Sequence, residues 1–181
     1  MIYRIGLLSN EVDDFKMEIE AEATTTFKEL NDLIINKLKY STNEMTSFFS
    51  CDDEWERYQE ITLIEMDSSS DVDTYVMENT TLEEFMQDEG DRMLFIFDTL
   101  NDRGLYMSLR EIKSGTLKKA KCTKLTGRIP KQVKMEDLFT LDNKKGGRSI
   151  LDDDMYGEDG YNDDELDMEG FSEVDMSEID I

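Results

Sequence analysis

The sequence predicts an α+β fold: a mainly antiparallel sheet with one long amphipathic helix and one short helix packed on it, continued by an irregular basic arm and an acidic tail. Three observations lead there. Phe15, Met17, Ile19, Ala21 and Ala23 alternate with Lys16, Glu18, Glu20 and Glu22, the period of a half-buried strand. Directly afterwards Phe27, Leu30, Leu33, Ile34 and Leu38 fall on one stripe of a helix. The charge, -24 in all, is laid out in blocks: -19 over residues 1–102, +9 over 103–148 and -14 over 149–181.

The elements follow in order. Ile2–Leu8 is an apolar strand with Tyr3, Ile5 and Leu7 on one face, and the polar Asn10–Asp14 is short enough for a hairpin connection to the strand at Phe15. Thr26 and Glu29 form a capping box that closes the first turn of the long helix. Tyr40–Asn43 is a loop, Ser47–Cys51 a third strand, and Asp52-Asp53-Glu54 an acidic turn before Trp55 and Tyr58. Ile61–Met66 reads as a further strand, Ser68–Asp73 as a surface loop, and Thr81 with Glu84 opens the short helix. Met93–Phe97 is apolar on both faces, as a central strand is. Asn101–Gly104 signals a tight hairpin, and Leu105, Met107 and Leu109 alternate beyond it.

From Ser114 the periodic patterns fade. This divides the chain into an α+β domain at 1–112, a basic arm and linker at 113–148, and an acidic tail at 149–181. Met135–Leu141 has room for one helical turn, and Lys144–Arg148 reads as a flexible joint. The tail has too little apolar surface to offset its ordering entropy, so it is expected to be disordered.

Composition removes several function classes. With 181 residues there is one ordinary core of roughly 100–150 residues and some chain left over. No histidine is present, which takes away the commonest general base and metal ligand. Cys51 and Cys122 stand far apart and outside any CxxC pair, which argues against a disulfide framework or a CxxC zinc site and fits a reducing compartment. No apolar run is long enough for a signal peptide or a membrane span, so a cytoplasmic protein is expected.

The candidate site is the basic block: Lys118, Lys119, Lys121, Lys124, Arg128, Lys131 and Lys134. It can track phosphates of a nucleic acid through residues 113–134, or pair internally with the acidic blocks on either side, the favoured view. It has no interleaved aromatic residue, which weakens any reading as a single-strand stacking surface. The acidic tail would compete for the block, and Tyr156, Tyr161, Leu166, Phe171 and Met176 have the spacing of docking anchors. Asp152, Asp154, Gly157 and Asp163 fit positions of a calcium loop in part, but Tyr156 stands where a ligand belongs. Cys122 among lysines lacks a base to accompany it and reads as an ordinary thiol. The carboxylates of Asp52–Glu56 offer an alternative reading as an Mg²⁺-dependent hydrolase or nuclease, against the plainer one of a solvated turn. Trp55 reads as a core or rim anchor. No cofactor, metal or catalytic residue is assigned, and a protein is the expected partner.

The strand–Thr25/Thr26–helix unit over Phe15–Leu38, the short strand Ser47–Ser50, and Cys122…Gly127…Pro130 together resemble the plasmid pRiA4b ORF-3-like family of insertion-element passenger proteins, TnpR-like, over about residues 1–135. Two stretches depart from it: Thr42–Met45 lacks the family's histidine, and Arg128–Val133 replaces its run of prolines, acids and glycines. The resemblance implies an α+β domain from mobile elements and bacterial chromosomes, with no established reaction and no catalytic residues to carry over.

Overall fold

Strand formation begins where apolar and charged residues alternate and continues wherever a neighbour offers a ladder. In the computed structural model the chain runs β1 (Ile2–Ser9), β2 (Lys16–Glu22), α1 (Phe27–Leu38), β3 (Ser47–Cys51), β4 (Arg57–Thr62), β5 (Tyr75–Val76), α2 (Leu82–Phe85), β6 (Arg92–Asp98), β7 (Arg103–Lys113) and β8 (Lys121–Thr126). The structure describes residues 1–65 and 75–133, all of them within the compact unit Met1–Thr140. The expected features at Ser68–Asp73, at Lys134, at Met135–Leu141, at Lys144–Arg148 and throughout the tail, its calcium-loop residues included, lie outside the described residues.

The strands form one sheet in the order β5-β4-β3-β6-β7-β1-β2-β8. Pairing is antiparallel except for β4 with β5, which is parallel, so the sheet is mixed. One face carries the core. Ile5, Leu7, Met17, Ile19, Phe48, Phe95 and Met107 join Phe27, Leu30 and Ile34 of α1 in a single buried cluster. Phe48 lies between Phe27 and Phe95, with ring centroids 5.1 and 4.9 Å away, distances at which tilted rings attract.

This corrects the expected fold class on two counts. First, among the described residues the architecture is a mixed eight-stranded sheet bearing two short helices of 12 and 4 residues, and no long helix organises it. The apolar stripe of α1 ends after three turns because Lys39 takes the left-handed conformation, φ 57°, and turns the chain away. Second, the supposed irregular arm contains a strand. β8 pairs antiparallel with β2, Glu20 opposite Lys121 and Met17 opposite Leu125. Its alternation is broken by a bulge, Glu18 facing Lys124 while Ile19 faces Cys122, which leaves Thr123 as the extra residue.

Smaller corrections have local causes. The strand expected at Ile61–Met66 is β4, begun at Arg57, because pairing with Cys51 rather than apolarity sets its start. The helix buries Ile35 and Asn31 beside Phe27, Leu30, Ile34 and Leu38, whereas Leu33 is only half-buried. Asn31 is tolerated there because its carbonyl accepts the Thr46 hydroxyl at 3.0 Å. Thr26 caps α1 by accepting the Glu29 amide at 3.2 Å, and at α2 the Glu84 carboxylate accepts the Thr81 amide at 2.6 Å.

Candidate interaction site

Strands β2 and β8 bring the acidic and basic blocks of the sequence side by side. On β2 the inward residues Met17, Ile19 and Ala21 are buried, so Glu18 and Glu20 project from the opposite face. On that face Lys121 stands 3.0 Å from Glu20, and Arg4 of β1 lies 2.8 Å from Glu18 and 3.3 Å from Glu111 of β7. Lys113 joins Glu111 at 3.2 Å and Glu20 at 3.8 Å. The result is an ion network across four strands. Arg4 holds the Glu18 carboxyl below its ordinary value through their hydrogen bond, and Lys113 with Arg4 does the same for Glu111.

The other candidate residues divide between two places. Lys118 and Lys119 lie in the segment before β8, lining a cleft of about 420 Å³ with Glu22, Glu29 and Asp32. Arg128, after β8, reaches Asp14 at 3.8 Å. Lys131 lies beside Tyr40 and Pro130. Lys118, Lys119, Lys124 and Lys131 form no ion pair among the described residues. The structure therefore sets one residue of the basic block, Lys121, against the acidic strand and another, Arg128, against Asp14, and leaves the other four described ones without an ion pair.

Three tethers hold that border. Gly127 has φ 81°, and a Cβ there would stand 2.0 Å from the Asp14 carbonyl oxygen, so the turn out of β8 needs glycine on both counts. The Tyr40 hydroxyl donates to the Pro130 carbonyl at 2.7 Å, and burial pushes its pKa up, so it remains a donor at all ordinary pH. The Gln132 side chain accepts the Ser41 amide at 2.6 Å and donates to the Phe97 carbonyl at 3.1 Å. Cys122 thus falls on the strand, and Gly127 and Pro130 on the segment tied down after it. Cys122 is half-buried on β8 opposite Ile19.

The acidic turn has a structural occupation. Asp52 accepts the amides of Glu54 at 2.8 Å and Glu56 at 2.9 Å and the Tyr58 hydroxyl at 3.1 Å. Those bonds, the Glu56 amide first, hold its carboxyl below its ordinary value. Asp53 pairs with Arg92 at 3.4 Å, and the Arg92 side chain also donates to the Asp53 carbonyl. Trp55 adopts a left-handed φ of 67° and rests edge-on against Tyr106, centroids 4.7 Å apart, with Arg92 over its ring. It packs on the sheet face opposite α1, as a rim anchor. Burial pushes the neighbouring Cys51 thiol up. Among the described residues no three Cys, Asp or Glu side chains gather as a metal site.

Sequence reasoning missed Arg4, Glu111 and Lys113, half of the network. Arg4 alternates with the core residues Tyr3 and Ile5, a visible sign of an outward charge on β1, but its partners come from strands whose neighbourhood only the sheet order supplies.

Comparison with known proteins gives a fold and no activity. No protein-family model matches the chain, and no curated protein matches it. Among solved structures it is similar to a protein of unknown function, MM3350, from Methanosarcina mazei Go1, at 12% identity and a TM-score of 0.54, covering 68% of each chain. No helix among the described residues is long and apolar enough to cross a membrane.

Proposed function

We propose that the protein is a non-enzymatic, cytoplasmic interaction module, related to the mobile-element passenger proteins of pRiA4b ORF-3-like type, that docks an acidic partner on its basic border. One observation carries this reading: Lys121 and Lys124 of the basic block lie on β8, which ends the sheet order and is flanked on one side only among the described residues. The partner is a protein first, and a nucleic acid second. Residues 1–102 and 149–181 together carry most of the 44 acidic residues, so the summed field repels polyanions at long range and leaves the border to act at short range.

The field also supplies the regulation. Residues 149–181 hold 14 acidic and no basic residues, and their presence in the same molecule lowers the potential that any polyanion meets. Binding of poly-glutamate and of a mixed-sequence DNA duplex to the full chain and to residues 1–148, at low and moderate salt, tests this. Steeply salt-dependent binding that strengthens on truncation is the expected result; negligible binding of both probes by both proteins overturns it.

The rival reading, an Mg²⁺-dependent hydrolase built on Asp52–Glu56, has less support, because Asp52 caps its own turn and Asp53 sits on Arg92. Mg²⁺ binding lost in an Asp52→Asn/Asp53→Asn variant would revive it.

A further inference from the structure

We infer that β8 accepts an additional strand from its partner: an extended segment in which acidic and apolar residues alternate, added antiparallel or parallel along the open side of β8. This rests on the docking reading above and goes further, from a charged border to a specific backbone pairing.

The backbone comes first. β8 ends the sheet order, and all its backbone hydrogen bonds among the described residues run to β2. Six residues of strand therefore present alternate amides and carbonyls to solvent, the arrangement by which strand-adding domains bind extended peptides. Lys121, Thr123, Lys124, Leu125 and Thr126 are all exposed, so among the described residues neither a helix nor a loop covers this side.

The side chains then choose the occupant. A second copy of β8 laid against the first would bring Lys121 and Lys124 close to their own counterparts, and like charges across a ladder are destabilising. This is the usual device against edge-to-edge aggregation, and here it excludes self-pairing while leaving an acidic strand favoured. The molecule already displays such a strand. β2, with Glu18 and Glu20 on one face and Met17, Ile19 and Ala21 on the other, is what β8 pairs with on its occupied side. A ninth strand of the same pattern would set its carboxylates near Lys124, which has no ion pair among the described residues, and its apolar residues beside Leu125 and Cys122. Lys118, Lys119 and Arg128, before and after β8, extend the cationic track beyond the ladder.

The test places its chemical change on the peptide, so the fold of the protein is never at risk. The probe is a fluorescein-labelled peptide, Thr-Glu-Val-Glu-Val-Glu-Thr, titrated into the full chain and followed by fluorescence anisotropy at about 50 mM salt, where surface charges are weakly screened. Two further peptides carry N-methyl groups on the amides of one edge or of the other. Strand addition requires saturable binding of the parent peptide. It also requires a tenfold or larger loss for one methylated form and little change for the other, because only one edge of an added strand meets β8. Parent binding that neither methylation alters, or that both weaken equally, overturns strand addition while keeping the basic border as a docking surface. No binding of any of the three overturns both. A Lys121→Gln/Lys124→Gln variant, its fold checked by circular dichroism, is expected to weaken the parent peptide at least fivefold; unchanged affinity would move the contact away from β8.

Discussion

Strands β2 and β8 lie in one ladder, joined residue to residue, yet they are held in place by different forces. On β2 the side chains of Met17, Ile19 and Ala21 are 1%, 0% and 0% exposed, and the strand is an integral wall of the core. On β8 only Cys122 is half-buried, and the strand is held by its backbone bonds, by one ion pair and by the tethers at Gly127 and Tyr40. The difference teaches that membership in a sheet and membership in a core are separate matters. A strand with little apolar surface to bury can still close a sheet, provided its ends are fixed and its neighbour offers opposite charge.

Five substitutions probe that contrast. The largest effect is expected for Ile19→Ala, which leaves a cavity at a fully buried position and costs about 2–5 kcal/mol in a denaturant titration; Cys122→Ala, directly across the ladder, should cost less than about 1 kcal/mol. Equal losses at the two sites would mean that β8 belongs to the core after all. Next comes Gly127→Ala, which forces a side chain into a left-handed turn and against the Asp14 carbonyl, at about 1–3 kcal/mol. If the tether works as described, amide hydrogen exchange should accelerate in β8 and remain slow in β2. Tyr40→Phe deletes the bond to the Pro130 carbonyl and should lower stability by about 1 kcal/mol.

The smallest effect is that of pH. Glu18 and Glu111 have lowered values in the folded protein, so their pairing stabilises the fold fully above the unfolded value of about 4.3. That contribution disappears as pH falls through the folded values. Arg4→Met should therefore flatten the acid limb of the stability profile below about pH 4 by lowering stability at pH 7, by a small amount as befits exposed pairs, while leaving it unchanged at the acid end. An unaltered acid limb would show that the network contributes nothing there.

The same contrast explains what could be read in the sequence. β1, β2, β3, α1, α2 and β6 were legible because each announces itself locally, by alternation, by a helical stripe, by a capping threonine or by an unbroken apolar run such as Met93–Phe97. β8 was illegible for a local reason too. The extra residue at Thr123 shifts the alternation by one within six residues, and no side chain of β8 is apolar enough and buried enough to mark a face. β5 has two residues and is defined by its pairing with Ile61 and Thr62 alone. At the candidate site the basic residues were visible as composition, whereas their division into paired and free came from the neighbourhood of β1, β2 and β7. The charge blocks were visible; their meeting across a ladder was a property of topology.

The place of β1 has a consequence for synthesis of the chain on the ribosome. β1 lies inside the sheet between β2 and β7, with Ile2 opposite Lys113. The hairpin of β1 and β2 emerges before β7, which is complete only after about ninety further residues, or roughly 5–20 s at ordinary elongation rates. During that interval the nascent hairpin exposes an apolar face and an open edge. Its outward Glu18, Glu20 and Glu22 are then its protection, keeping like hairpins on neighbouring ribosomes apart until Lys113 of β7 and then Lys121 of β8 arrive to pair with Glu20.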